Sequence, residues 1–371
     1  MKVIIAAAQT GGHINPGIAI ANKIKKENKN ARIMFIGTTR GLENDLVPRA
    51  GYELKTIEAY GLSRRLALSN IKNMFKTIKG LNEAKKIVKD FRPDIVIGTG
   101  GFISGPVLMA AKKYKIPTIV HESNAFPGVA TKLLSKSVDT VLVAFEDAKK
   151  RLPNAKRIIV TGTPTKIKKV DLSKEQKEKL IEELKLNKDM PIVLVFGGSQ
   201  GAKSINTALI DIIKNKTNKD YQIIWASGPK QYDVIKEELS NFGININNIR
   251  NVRILSYIYN MEEMMNLSDI IVSRSGAMTI TEVAITGKPA IFIPFPFATE
   301  NHQEYNARVL VSAGAAKIIL DKDLNEKILS DTINEMLKDK EKLQQMGINA
   351  EKVSIKNVEE KIYEEVKRLV K

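Results

Sequence analysis

Val3-Ile4-Ile5-Ala6-Ala7-Ala8 runs into Gln9-Thr10-Gly11-Gly12, and much later Ile192-Val193-Leu194-Val195-Phe196 runs into Gly197-Gly198. Each is a short apolar run without alternation, closed by a glycine turn, the pattern of a strand buried on both faces. Similar runs fill the chain around them: Ile33–Ile36, Ile95–Ile97, Thr118–Val120, Thr140–Val143 and Ile158–Val160, then Ile223–Ala226, Ile270–Val272, Ala290–Ile293 and Lys317–Leu320. Amphipathic stretches such as Ile18–Lys26, Asn82–Lys89 and Ile205–Lys214 separate them. Strand alternating with helix predicts α/β architecture, a parallel sheet covered on both sides. Residues 167–189 are highly charged and contain no strand pattern, and the glycine-turn signature restarts after them. The chain therefore reads as two doubly wound domains of similar size, 1–164 and 165–352, with an amphipathic helix, Val353–Lys371, returning to the first. Ligands of such sheets bind beyond the carboxyl ends of the strands, so two facing domains are expected to form a cleft there.

The 371 residues are 43% hydrophobic and 27% charged, which excludes disordered, collagen-like and coiled-coil chains. With 59 Lys+Arg against 41 Asp+Glu the net charge is +18, and such an excess predicts an anionic partner: nucleic acid, membrane or a phosphorylated small molecule. No cysteine is present, which removes disulfides, thiolate chemistry and Cys-based zinc sites. The apolar start is too short for a signal peptide. The longest uncharged run, Ile95 to Ala111, holds four glycines and Pro106 and falls short of a spanning helix.

The chain has three histidines, His13, His121 and His302, each in a setting rich in Gly, Asn or Pro. Any one alone reads as an ordinary loop histidine; three at cleft loops point to a site. Glycine turns Gly11-Gly12, Gly98-Thr99-Gly100-Gly101 and Gly197-Gly198-Ser199-Gln200-Gly201 let backbone N–H groups approach a phosphate. None fits the P-loop or the nicotinamide-binding fingerprint. The sharpest segment is Ile270-Ile271-Val272-Ser273-Arg274-Ser275-Gly276-Ala277-Met278-Thr279, a strand, a small-residue turn and a helix start. Free N–H groups and the helix dipole there suit a diphosphate, and Glu282 lies about a turn further on, within reach of ribose hydroxyls. Asp321-Lys322-Asp323 has the D-x-D spacing of a metal site, but reads better as a helix start with Asp323 as cap and Glu326 at the capping-box position.

Together these segments resemble the MurG family of bacterial N-acetylglucosaminyltransferases, which convert lipid I to lipid II in peptidoglycan synthesis. The likeness rests on Gly11-Gly12-His13-Ile14-Asn15-Pro16-Gly17, Gly100-Gly101-Phe102-Ile103-Ser104-Gly105-Pro106 and His121-Glu122-Ser123-Asn124 with Pro127-Gly128. It continues through Gly197-Gly198-Ser199-Gln200-Gly201-Ala202, Ser273-Arg274-Ser275-Gly276-Ala277, Gly287-Lys288-Pro289 and His302-Gln303 followed by Asn306-Ala307. The resemblance implies a GT-B fold of two Rossmann-like domains, an inverting transfer to the 4-hydroxyl of the MurNAc-pentapeptide of lipid I, and no cofactor or bound metal. It implies His13 as the catalytic residue. Donor binding falls to Asn124, Lys166, Ser199, Gln200, Ile258, Ala277, Met278, Thr279, Glu282, His302 and Gln303: Ile258 beside uracil, Glu282 on ribose, and Asn124, His302 and Gln303 on the GlcNAc. Thr10, Gly11, Gly12, Asn15, Gly100 and Gly101 fall on the acceptor side. The implied partners are UDP-GlcNAc, lipid I, an anionic membrane surface and other cell-wall synthesis proteins, with no nucleic acid. The implied location is peripheral, on the cytoplasmic face of the cell membrane. Two departures stand out: Ala8 and Gln9 occupy loop positions where the family usually has glycine, and Gly162-Thr163-Pro164-Thr165-Lys166 replaces the interdomain arginine with lysine.

Two rivals stay open at this level: another GT-B transferase or sugar-nucleotide epimerase, and a basic nucleic-acid-binding protein, which lacks an aromatic platform or reading helix here. A membrane feature is also visible. Leu68, Ile71, Phe75 and Ile78 recur at helical steps, flanked by Arg64, Arg65, Lys72, Lys76 and Lys79, with Ser69 as a candidate cap. An apolar stripe edged by cations suits an anionic interface, and equally a core-facing helix with a basic back.

Overall fold

The computed structural model describes residues 1–60 and 68–370, and of 68–78 the backbone alone. The chain divides into two compact units, Met1–Thr165 with Ile355–Lys371, and Lys166–Ser354.

Unit 1 is a seven-stranded sheet: β1 (Lys2–Ala6), β2 (Arg32–Gly37), β3 (Glu53–Thr56), β4 (Ile95–Gly98), β5 (Thr118–Glu122), β6 (Thr140–Val143) and β7 (Ile158–Val160). The order is β3-β2-β1-β4-β5-β6-β7. Every pair is parallel, with Ala6 beside Gly98 across β1 and β4. Helices α1 (Gly11–Glu27), α2 (Glu43–Arg49), α3 (Leu68–Phe91), α4 (Ser104–Lys113) and α5 (Val129–Ser135) connect the strands. The central strands are fully buried, and apolar clusters lie on both faces of the sheet.

Unit 2 is a six-stranded sheet of β8 (Ile192–Phe196), β9 (Gln222–Ala226), β10 (Val252–Leu255), β11 (Ile270–Ser273), β12 (Ala290–Phe292) and β13 (Ala316–Ile318), all parallel, in the order β10-β9-β8-β11-β12-β13. Its helices are α6 (Lys174–Glu183), α7 (Lys203–Asn215), α8 (Pro229–Asn241), α9 (Met261–Leu267), α10 (Ala277–Thr286), α11 (His302–Ser312), α12 (Glu326–Lys338) and α13 (Lys340–Val353). The last helix, α14 (Val358–Val370), belongs to unit 1, where Ile362 and Val366 are buried in its core. Buried Glu365 fixes it there by accepting from Thr140 at 2.6 Å and Arg157 at 3.1 Å.

Several expectations change. Both outermost strands on one side, β3 and β10, have no unbroken apolar run. An edge strand is half solvated, so it needs no such run. The charged stretch after residue 167 contains α6, opened by a capping box between Ser173 and Gln176. Helix α1 starts at Gly11 and so includes the glycines, His13 and Pro16, because proline costs little near a helix start. Asp323 does not cap α12; Asn325 does, accepting from the Ile328 N–H at 2.9 Å. His121 lies inside β5, fully buried, and not in a loop. The apolar stripe and most of its flanking cations (Arg64, Arg65, Leu68, Ser69, Ile71, Lys72, Phe75, Lys76, Ile78) lie outside the described side chains. Lys79 is exposed and pairs with Glu83.

Candidate active site

Each sheet reverses its strand order once, between β1 and β4 in unit 1 and between β8 and β11 in unit 2. In an open parallel sheet the loops following the two strands at that point diverge and leave a crevice for ligand.

In unit 1 these loops are Gln9–Thr10, leading into α1, and Thr99–Gly101. His13 is half-buried in the first turn of α1 and lies against Gly100, where an added Cβ would sit 2.4 Å from His13 Nδ1. Gly100 also has φ +113, so only glycine fits on both counts. Thr99 Oγ1 donates to the His13 carbonyl at 2.8 Å and ties the second loop to the first. The structure thus brings Thr10, Gly11, Gly12, His13 and Asn15 together with Gly100 and Gly101, at a helix start whose first N–H groups have no helical partner.

A buried carboxylate with no cue in the local sequence shapes this loop. Glu43 is fully buried and accepts from Gln9 N at 2.8 Å, Thr38 N at 2.8 Å and Thr38 Oγ1 at 2.7 Å. Gln9 is held at φ +78, backbone that favours glycine. Glu122 does similar work after β5. It accepts from Asn124 N and Nδ2, each at 3.0 Å, and from Gly128 N at 3.0 Å. Its neighbour His121 donates from Nε2 to the Gly162 carbonyl at 2.9 Å, with Ser123 Oγ 3.4 Å from Nδ1, so both ring nitrogens face partners within the unit. Burial pushes its imidazole below the usual histidine range.

In unit 2 the switch-point loops are Gly197–Ala202 and Arg274–Gly276. The first is confined by sterics: a Cβ on Gly201 would meet the Ser227 carbonyl at 2.1 Å, and one on Gly197 would meet Ala202 N at 2.3 Å. This presses the loop against the end of β9 and leaves Ser199 and Gln200 exposed. The second loop opens α10, with Gly276 as N-cap and Ala277, Met278 and Thr279 in the first turn. The Ser273 and Ser275 hydroxyls beside it are buried with no partner among the described residues. Donor N–H groups, a helix dipole and two orphaned hydroxyls suit an anion at this point. Glu282 follows in α10, and Ile258, 4% exposed, lies between β10 and α9. His302 and Gln303 form the first turn of α11. His302 Nδ1 donates to Thr299 O at 2.7 Å, and Gln303 Oε1 accepts from Phe295 N at 2.9 Å. Both grip the loop after β12, where Glu300 and Asn301 are left-handed.

Two members of the expected donor set lie outside these loops in sequence. Asn124 belongs to unit 1, and Lys166, exposed, is the first residue of unit 2. Among the described residues no group of three or more His, Asp or Glu is placed to hold a metal ion.

Two parallel-sheet α/β units, each with glycine turns meeting a helix start at its switch point, have the architecture of the GT-B class. Residues 3–143 match the glycosyltransferase family 28 N-terminal domain and residues 192–362 the glycosyltransferase family 28 C-terminal domain. A protein of Acetivibrio thermocellus is 45% identical over 372 residues, spanning 100% of this chain and 99% of its own. It is named UDP-N-acetylglucosamine--N-acetylmuramyl-(pentapeptide) pyrophosphoryl-undecaprenol N-acetylglucosamine transferase. A Thermoanaerobacter protein of the same name is 43% identical over 369 residues, with 100% of both chains covered. Among solved structures, Acinetobacter baumannii MurG superposes with a TM-score of 0.78 at 27% identity, covering 99% of each chain. The chain belongs to glycosyltransferase family 28, and within it to the MurG family.

Proposed function

We propose that this enzyme transfers N-acetylglucosamine from UDP-GlcNAc, with inversion, to the 4-hydroxyl of the N-acetylmuramyl sugar of an undecaprenyl diphosphate-linked pentapeptide. The products are the lipid-linked disaccharide, lipid II, and UDP. The observation that carries this reading is the likeness, over the whole chain, to transferases named for that reaction. The residues supply what the chemistry needs. The acceptor oxygen forms a bond to the anomeric carbon, the bond from that carbon to the diphosphate oxygen breaks, and the hydroxyl proton passes to His13. An imidazole within reach of the attacking hydroxyl can take that proton as a general base. In unit 2, the N–H groups at Ala277, Met278 and Thr279, the Ser199–Gln200 loop and Lys166 receive the charge that grows on the leaving UDP. Ile258 is assigned to the uracil, Glu282 to the ribose, and Asn124, His302 and Gln303 to the sugar. Thr10, Gly11, Gly12, Asn15, Gly100 and Gly101 take the acceptor diphosphate. The leaving-group charge is met by N–H groups and an amine, so the reaction runs without a metal.

A lipid-linked acceptor calls for a peripheral enzyme, and this reading sets it on the cytoplasmic face of the membrane. No helix among the described residues is long and apolar enough to cross a bilayer. Support for a surface contact comes from α4 and α5, which pack together and expose Met109, Val129 and Leu133 beside Lys112, Lys113, Lys132 and Lys136.

The test is transfer of labelled GlcNAc from UDP-GlcNAc to a synthetic lipid I analogue, with and without EDTA. Labelled disaccharide, unaffected by chelator, is expected. No transfer, or release of an epimerised sugar in place of a disaccharide, overturns the reading, and loss with EDTA restored by a divalent ion overturns its metal-free part.

A further inference from the structure

Asp321, half of the D-x-D pair, is already bonded to other residues. It lies in the short 3-10 turn Asp321–Asp323 between β13 and α12. Its Oδ1 accepts from Arg274 Nη1 at 2.5 Å and from Ser204 Oγ at 2.6 Å. Arg274 Nη2 donates to the same Ser204 Oγ at 2.9 Å, which closes a ring of three side chains. Arg274 Nη1 also donates to the carbonyls of Ile293 at 3.0 Å and Pro294 at 3.1 Å. The Arg274 side chain is 12% exposed and that of Asp321 21%, so the pair is shielded enough for its geometry to hold.

Ser204, Arg274 and the two carbonyls that Arg274 holds each adjoin a loop assigned to the donor. Ser204 is in the first turn of α7, directly after the Gly197–Ala202 loop. Arg274 precedes the N-cap of α10. Ile293 and Pro294 begin the segment that ends at His302 and Gln303. A planar guanidinium with five fixed donors can tie three segments at once, which a flexible amine cannot. Without its carboxylate the guanidinium would be left shielded and uncompensated, and it would turn to other acceptors.

We propose that Asp321 and Ser204 are positioning residues that, through Arg274, hold the three donor-side loops of unit 2 in the arrangement that receives a nucleoside diphosphate. This rests on the donor assignment above. Asp323 takes no part in the ring and serves as the control.

The experiment measures UDP affinity by calorimetry, donor and acceptor KM, kcat and melting temperature on the full chain. Asp321→Ala is expected to raise the UDP Kd and the donor KM together by about tenfold, with acceptor KM unchanged, the size of one lost charge-assisted bond. Ser204→Ala, a smaller change that keeps the fold, is expected to move the same two constants by about threefold. Adding Ser204→Ala to Asp321→Ala is expected to cost nothing more, because the ring is already open. Asp323→Ala is expected to match wild type. Unchanged UDP Kd and donor KM in both single variants overturn the proposal, even if kcat falls, since fewer folded molecules lower kcat alone. A wild-type chain that fails to bind UDP overturns the donor assignment itself, a result these variants cannot mimic.

Discussion

Gln9 carries a full side chain at φ +78, held there by the Glu43 carboxylate. The left-handed region costs a non-glycine residue ~1–2 kcal/mol, and glycine returns part of that as extra chain entropy in the unfolded state. Gln9→Gly is therefore expected to stabilise the chain by about 0.5–1 kcal/mol in urea unfolding. A loss of stability would mean that the Gln9 side chain contributes contacts that outweigh the strain. His13 tests the chemistry at the same scale. His13→Ala is expected to lower turnover by ~10²–10⁴ while leaving UDP affinity unchanged, because the proposed base belongs to unit 1 and the proposed donor loops to unit 2. Near-normal turnover would remove His13 from the mechanism. These residues differ in legibility. His13 stands out as a candidate by residue type and glycine neighbours. Glu43 did not, because its importance lies in contacts with residues distant along the chain.

Elements follow the same division between local and tertiary information. Strands β6 and β8 coincide with their apolar runs, because a strand buried on both faces needs nothing else. Edge strands β3 and β10 show alternation or polarity and escape such a search. Strand β5 shows how a tertiary partner changes the meaning of a residue. His121 reads as a site histidine from its motif, yet inside the sheet its Nε2–H is spent on the Gly162 carbonyl, at a glycine with φ +81. Burial lowers its folded-state pKa, so between that value and ~6.5 the unfolded chain binds the extra proton. The sign follows: its contribution is complete above pH ~6.5 and is lost as pH falls toward the folded value. Thermal melts of wild type are expected to show a falling melting temperature from pH 7 to pH 5. His121→Gln, less stable at pH 7, is expected to give a flatter profile across that window. Parallel slopes would exclude His121 as the source.

On the scale of the whole molecule, a net charge of +18 predicts an anionic partner, and the proposed membrane contact calls for exposed apolar side chains beside part of that charge. On α5, Val129 and Leu133 are one helical step apart on the same face, 51% and 68% exposed, and Met109 of the adjacent α4 is 55% exposed. Lys112 and Lys113 end α4, and Lys132 and Lys136 flank the α5 face. Exposed apolar side chains on helices that also carry lysines suit the surface of an anionic bilayer, where apolar insertion and charge attraction act together. A protein core cannot be the purpose of these three side chains, since they are already folded and outside it. Leu133→Ser combined with Met109→Ser is expected to leave the melting temperature within about a degree, as exposed substitutions move stability by ~0.5 kcal/mol or less. The same variant is expected to bind phosphatidylglycerol vesicles several-fold more weakly, given roughly 1 kcal/mol or more for each large apolar side chain withdrawn from lipid. Raising salt from 0.05 to 0.5 M is expected to weaken wild-type binding as well, and uncharged phosphatidylcholine vesicles to bind little. Vesicle affinity equal to wild type in the double variant would move the membrane contact away from α4 and α5.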